Sequence, residues 1–441
     1  MEEWKQTTIG HLISEGIILI HKDGNHGANY PRMEDFGEKG LPFLTAKSLS
    51  DWKIDFQGAP RLSTTKANTF KFGFIQTGDV LLSHNATVGR VAVVPEIEGP
   101  AVIGTSLTVF RMDSFRLLPQ FLALFFSSKE FQDQLSFVMA QTTRNQVPIT
   151  EQRRLPVRMP QISTQREIVG VAFGLMDKIE LNRRMNETLE AMARALFRDW
   201  FVGFGPTRAK MAGHAPYLSA DLWALFPDKL DEEGKPEGWE RKGLLSQAEL
   251  ISGGTPKTDN PTFWNGEIPW ASAKDVSQCK DCFLIETERT ITRKGLEKSA
   301  TKVILKYSTV VVARGATTGR YCIFGSSIAM NQTCYALASK FEVPFWLNLA
   351  FGSLVDKIIH AAHGSVFDTI TTQTLLKVDL PVPSVELLRC FEGSVAPLFN
   401  KILNNQKESR TLAETRDLLL PRLMSGELCV IAAERIVEAI L

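Results

Sequence analysis

Ile168-Val-Gly-Val-Ala172-Phe-Gly-Leu175-Met-Asp-Lys-Ile179-Glu-Leu-Asn182-Arg-Arg-Met-Asn186-Glu-Thr-Leu189-Glu-Ala-Met-Ala193-Arg-Ala-Leu196 carries two rows of residues at heptad spacing. One row is Ile168, Leu175, Asn182, Leu189 and Leu196; the other is Ala172, Ile179, Asn186 and Ala193. Such rows are the a and d seam of a helix that packs along another helix. The same chain supplies a second seam 223 residues on: Phe391, Leu398, Asn405, Leu412 and Leu419, with Val395, Ile402, Ser409 and Arg416 in the other row. An Asn recurs at the central step. A buried Asn weakens a seam but fixes its register, so Asn182 and Asn405 mark the two helices as each other's partners.

The repeat extends well beyond the helices. Trp4 matches Trp239 ahead of Ile9 and Leu244, and Leu41-Pro-Phe-Leu-Thr-Ala-Lys47 matches Ile268-Pro-Trp-Ala-Ser-Ala-Lys274. Ala86-Thr-Val-Gly-Arg90 matches Ala316-Thr-Thr-Gly-Arg320, Ile149-Thr150 matches Ile370-Thr371, and Val157-Arg-Met-Pro160 matches Val378-Asp-Leu-Pro381. The offset drifts through 235, 227, 230 and 221 to 223, as expected where loops gain and lose residues around a common fold.

These matches predict a tandem duplication of mixed α/β (α+β) class. Its parts are a globular unit over 1–160, a helix over 161–203, a linker over 204–238, a second unit over 239–383, a second helix over 384–426 and a tail over 427–441. An approximate twofold relation makes the helices an antiparallel coiled coil. Thr164 with Glu167 reads as a capping box for the first helix, and Pro160 keeps the chain extended before it. In the second helix Pro397 stands where the first copy has Gly174, which predicts a kink or a fresh start there. Val80-Leu-Leu82 and Arg90-Val-Ala-Val-Val94 flank a polar tip, a hairpin signature. The linker's Gly, Pro and charged residues read as an exposed connector from which Leu222-Trp-Ala-Leu-Phe226 docks. The tail from Ile431 has no visible counterpart.

At 441 residues, 44% hydrophobic and 22% charged, the chain is long enough for two or three globular domains and gives no sign of disorder. No apolar run approaches a membrane span and Met1-Glu-Glu-Trp-Lys5 lacks signal-peptide order, so a cytoplasmic protein is expected. All six cysteines follow residue 278, irregularly spaced, which predicts free thiols; Cys279-Lys-Asp-Cys282 stands alone without a second pair at zinc spacing. A net charge of +1 means that any nucleic-acid affinity is local or supplied by partners.

Two similar units held apart by paired helices of roughly 36 to 55 Å match about one to one and a half turns of B-DNA, at ~34 Å per turn. They could read two short, different sequences across an unread gap. The chain resembles the specificity subunit of type I restriction-modification systems over nearly its whole length. The resemblance rests on an ordered set: Trp239 with Ser252-Gly-Gly-Thr-Pro256, Pro-Trp-Ala-Ser-Ala-Lys274, Ala-Thr-Thr-Gly-Arg320, Leu380-Pro-Val-Pro383 and the heptad helix. The first half departs at its start, where His21-Lys-Asp-Gly-Asn-His-Gly27 replaces a Gly-Gly-Thr-Pro run. The resemblance implies two target-recognition domains for a bipartite site in double-stranded DNA. It also implies two methyltransferase subunits on the paired helices and motor-nuclease subunits in a larger complex. It implies further that this chain carries no catalysis and binds no cofactor; S-adenosylmethionine, ATP and Mg are expected on the partners.

The residues agree. No GxxxxGK[ST], HExxH or Asn-Pro-Pro-aromatic run occurs, and of seven histidines only His360 and His363 lie close. Base edges need donors and acceptors on short supports, and phosphates need basic groups. The candidate DNA contacts are Lys47, His84, Asn85, Arg90, Arg144, Asn145 and Gln146 in the first unit. In the second they are Lys257, Lys274, Arg314, Thr317, Arg320, Asn331 and Gln332. Arg90 and Arg320, each following a Gly at the start of a returning strand, equally fit a structural role. The seam is Ile168, Leu175, Ile179, Asn182, Leu189 and Leu196 against Leu398, Ile402, Asn405, Leu412 and Leu419; no metal ligands are expected. Alternatives are a stand-alone bipartite DNA-binding regulator or restriction inhibitor, and an enzyme with its own nuclease or methyltransferase site, for which no motif speaks.

Overall fold

In a computed structural model that describes residues 4–50, 52–141, 145–362 and 369–438, Lys5–Thr8 pairs antiparallel with Pro156–Met159, in register Lys5 to Met159. The second half repeats the pairing with Glu240–Gly243 and Asp379–Val382, in register Glu240 to Val382. Each pairing brings the start of a globular half to the strand that leads into its long helix.

Inside each half lie two larger sheets, of four and five strands. The first half orders Val91–Val93, Val80–Ser83, Leu107–Met112 and Ile18–Asp23 in one antiparallel sheet; the second orders Tyr321–Phe324, Thr309–Val312, Cys334–Ser339 and Ala248–Ser252 likewise, with Phe283–Leu284 added at the edge. The other sheet centres on a parallel pair. Phe43 faces Val102 in the first half, and Trp270 faces Ala329, each 227 residues on, in the second. Strands covered on both faces give these pairs short, buried, unbroken apolar runs, such as Ala101-Val-Ile103 and Ile328-Ala-Met330.

The long helices are Ile162–Phe197 and Val385–Ser425. Ile168 and Ala172 pack in one cluster with Leu419 and Leu423, whereas Phe197 meets Phe391 at 6.1 Å, so the helices run antiparallel. Between these contacts Asn182 Nδ2 donates to Glu408 Oε2 (2.8 Å), and Asn405 Nδ2 donates to Asn186 Oδ1 (2.9 Å). An amide pair bonded across the seam opposes any one-turn slip, which would leave both amides buried and unpaired. Ile168, Leu175, Asn182, Ile402, Asn405, Leu412 and Leu419 are buried; Ile179, Leu189, Leu196 and Leu398 are half-buried at its flanks. Next to the last two, Phe197 and Phe399 take the core position instead.

By compactness the chain divides through the helices. One unit is Met1–Lys178 with Thr411–Leu441, the other Ile179–Arg410. Three sequence expectations change. The first helix begins at Ile162, which places Thr164 inside the first turn rather than at the cap. The second helix does not restart at Pro397: Pro397 is exposed, as is Gly393 one turn back, so the carbonyl left without an N–H partner faces water. The linker docks through 222–226 as expected, but the rest of it is more than an exposed connector. Arg198–Val202 forms a π turn, Gly205–Met211 and Ala220–Ala224 are helical, and Trp200, Phe201 and Phe226 are buried with Trp239, Trp346 and Phe391. In the first unit the C-terminal helix Val430–Glu438 joins the cluster that holds Trp4, so the tail serves Trp4 as the linker serves Trp239. No helix among the described residues is long and apolar enough to cross a membrane.

The second long helix also caps a neighbour. Glu392, 9% exposed, accepts the N–H groups of Phe345 (3.0 Å) and Trp346 (2.9 Å) at the start of Pro344–Ala362. Those N–H groups have no intrahelical partner, and the carboxylate supplies one.

Candidate nucleic-acid interface

Both hairpins are closed by the same main-chain frame. In the first unit Gly89 N donates to Ser83 O (2.9 Å) and Ser83 N to Arg90 O (2.8 Å); in the second Gly319 N donates to Val312 O (2.9 Å) and Val312 N to Arg320 O (2.8 Å). Gly89 and Gly319 have φ of 96° and 89°, a left-handed turn natural to glycine. The second tip, 312–320, is one residue longer than 83–90. Each tip is held from the side by the segment ahead of the last strand. Val147 N donates to His84 O and Ile370 N to Ala313 O, both at 2.8 Å. Bridges link Asn85 to Gln146 and Arg314 to Thr369.

This frame brings Asn85, Asn145 and Gln146 together, with Ala86 N donating to Asn145 O (3.1 Å). In the second unit it sets Arg314 opposite Thr369, and Arg314 and Thr317 share the tip, both exposed. By hydrogen-bond position Arg314 corresponds to Asn85, one step off the Ala-Thr-x-Gly-Arg match. The two tips thus present different donors from one scaffold. Arg144 lies outside the described residues, as does His363.

The remaining candidates separate. Lys47 is exposed on the turn Ala46–Ser48, and Lys274 on Ala273–Gln278, where Glu288 at 2.7 Å raises its pKa. Both partners of that pair are more than half exposed, so a phosphate can replace Glu288 at little cost. Arg90 is a strut: Nη1 donates to Ala46 O (3.1 Å) and Leu49 O (2.8 Å). Arg320 is exposed and lines a cavity. Lys257 is exposed, and its carbonyl receives Trp264 Nε1 (3.1 Å). Asn331 Oδ1 caps its own turn through Thr333 N (3.2 Å) and Oγ1 (2.8 Å), and exposed Gln332 accepts from Thr255 Oγ1.

His84 is not a surface donor. Its ring is 6% exposed, with Nδ1 bonded to Thr108 Oγ1 (2.9 Å). Gln152 Nε2 donates to the same hydroxyl (3.0 Å) and to Val147 O (3.0 Å), while Gln152 Oε1 bonds His21 Nε2 (3.1 Å). Gln152 Oε1 here can only accept, so His21 Nε2 donates to it, while the direction of the Thr108–His84 bond follows the tautomer of His84. Burial lowers the pKa of His21 to about 4, and burial lowers that of His84 as well.

These groups and Glu392 give the two units opposite pH responses. A histidine with a depressed folded pKa contributes stability at neutral pH that is lost as pH falls from about 6.5 toward 4. For His21 the effect is on the order of 2–3 kcal/mol in the first unit. Glu392 is pushed up to about 7 by burial, against the two N–H bonds that pull the other way. A raised carboxyl favours folding in its neutral form, so the second unit loses stability as pH rises from about 4.5 to 7, again by roughly 2–3 kcal/mol. Hydrogen-exchange protection factors should therefore fall below pH 6 in the strands around His21 and His84. They should fall above pH 6 at the start of Pro344–Ala362, and Glu392→Gln should remove most of the second response.

One position that the frame depends on escaped the sequence. A Cβ on Gly253 would lie 2.1 Å from Asn331 O and 2.4 Å from Met330 O; one on Gly24 would lie 2.4 Å from Gly104 C and 2.5 Å from Ile103 O. Ile103 and Gly104 sit 227 residues before Met330 and Asn331, and the register Asp23 to Thr108 repeats as Ser252 to Tyr335. Gly24 is therefore the counterpart of Gly253, and the first half does not depart at this step. The signal was a glycine directly after the last alternating strand residue, Asp23.

The model of the type I restriction modification DNA specificity domain matches residues 1–191 and 236–387, once for each half. The HindI specificity subunit of Haemophilus influenzae is 28% identical over 403 residues, covering 80% of this chain and 87% of that one. The MjaIX specificity subunit of Methanocaldococcus jannaschii is 24% identical over 97% of both. The crystal structure of an S subunit from M. genitalium shares the fold, with a TM-score of 0.59 at 15% identity over 96% of both chains. Two matched domains, two matched hairpin frames and one antiparallel helix pair agree in identifying this chain as a member of the type I restriction-modification DNA specificity family.

Proposed function

We propose that the two hairpin tips, with the segments bonded beside them, are the reading heads of this DNA specificity subunit. Each reads one half of an asymmetric bipartite site. The observation that carries the reading is the shared main-chain frame bearing unlike side chains, Asn85 with Gln146 in one unit and Arg314 with Thr317 in the other. A rigid frame with exchangeable donors is what direct readout of different sequences needs. Lys47, Lys274 and Lys257 stand as phosphate contacts.

The chain itself carries no catalysis in this proposal. Two methyltransferase subunits bind along the paired helices and supply S-adenosylmethionine chemistry on adenine, and motor-nuclease subunits use ATP and Mg; all act in the cytoplasm. The net charge of +1 supports dependence on partners, because neutralising many phosphates takes more cations than this chain presents.

Arg314→Ala with Thr317→Ala tests the assignment. In the complex with a methyltransferase subunit, affinity for the cognate duplex should fall by about 1–3 kcal/mol per lost base contact. Discrimination should relax at one half-site only. Uniform weakening at both halves would show that these residues do not read sequence.

A further inference from the structure

Where the first unit closes over Arg90 with main-chain carbonyls, the second leaves its counterpart Arg320 on the wall of a cavity of about 510 Å³. Arg194 from the first long helix, Arg198 from the π turn that follows it, and Lys280 complete a cationic wall. Glu190 pairs with Arg194 at 3.1 Å and Asp281 is the other acid present, so cations outnumber acids four to two. The volume falls within the range of small-molecule sites, roughly 300–1,000 Å³.

Three thiols line the same cavity: Cys279, Cys282 and Cys322. Cys279 is half-buried, packs against buried Cys322 and donates to Asp281 O (3.2 Å). Ile323 N donates to Cys282 O (3.1 Å), which ties the segment of Cys279 alongside the strand of Cys322. The thiols differ in readiness. Interaction with Cys322 lowers the pKa of Cys279, whereas burial raises that of Cys282, and Cys279 together with burial raises that of Cys322. The thiolate is the nucleophile in thiol chemistry, so Cys279 is the reactive member.

We infer that Cys279 is a thiol-disulfide exchange site whose cationic cavity admits an anionic low-molecular-weight disulfide of the glutathione disulfide class. The Cys279 thiolate attacks one sulfur of that disulfide and a new S–S bond forms. The old S–S bond breaks, and one glutathione leaves as its thiolate, to be protonated by water. Cys279 is oxidised to a mixed disulfide and the departing half is reduced, so no further oxidant is required. Buried Cys322 is protonated and attacks poorly, which leaves the mixed disulfide as the product.

The test treats the reduced full-length chain with glutathione disulfide or with neutral hydroxyethyl disulfide and maps adducts by peptide mass spectrometry. Glutathione disulfide should modify Cys279 first, about tenfold faster than exposed Cys390 and Cys429. Arg198→Gln with Lys280→Gln should slow that reaction about tenfold while leaving the neutral reagent's rate unchanged, with an unaltered melting curve showing the variant folded. Earlier modification of Cys390 or Cys429 would overturn the inference, as would equal slowing with both reagents or an unmodified Cys279.

Discussion

Gly253→Ala should cost the second unit about 3 kcal/mol or more and abolish recognition of its half-site. The added carbon would meet two main-chain oxygens, of Asn331 at 2.1 Å and Met330 at 2.4 Å, and no side-chain rotation can relieve a clash between backbones. One of two strands must move. Asn331 N is bonded to Ala271 O (2.9 Å), so displacement would carry Asn331, Gln332 and the run that leads to Lys274 with it. Gly170→Ala is the control. It sits exposed in the first long helix with nothing near its Cβ, and should stabilise by about 1 kcal/mol. Urea titration of both variants, with duplex binding measured in the methyltransferase complex, separates the two effects; a Gly253→Ala protein as stable as the parent would refute the close approach.

Trp200→Ala should be comparably severe, at about 3–5 kcal/mol. The indole is 2% exposed, 5.3 Å from both Phe226 and Phe391 by ring centres. It joins the linker to the second helix and to the core around Trp346. Its loss leaves a cavity that rigid neighbours fill poorly and frees residues 201–226 from their anchor. Limited proteolysis should then cut within 204–238 at conditions where the parent chain resists. Trp223→Ala, at a half-buried site beside Tyr217, should have a much smaller effect.

The duplication, the antiparallel helices and the hairpins were legible because each follows a spacing rule. Heptad rows, a matched Asn and an Ala-Thr-x-Gly-Arg tip recur at nearly fixed offset, and burial follows such periodicities. What was not legible depends on contacts with no local period. Phe226 lies in the run expected to dock and is buried, but Trp200, Phe201 and Trp239, which receive it, follow neither a helix nor a strand repeat, so the rest of the segment reads as a connector by composition. His84 reads as a polar tip residue because Gln152, which closes over it through Thr108, lies 68 positions on. Gly24 reads as an interruption because its need for a bare Cα comes from Ile103 and Gly104. Pro397 reads as a break because sequence does not show which face of the helix meets water.

The most direct test is to co-express the chain with a methyltransferase subunit of its own system and sequence the host methylome. Two short defined blocks separated by a fixed run of unread bases, methylated only when both chains are present, is the predicted result. A continuous motif, or no new methylation despite a stable complex with an active partner, would contradict two reading heads on one chain.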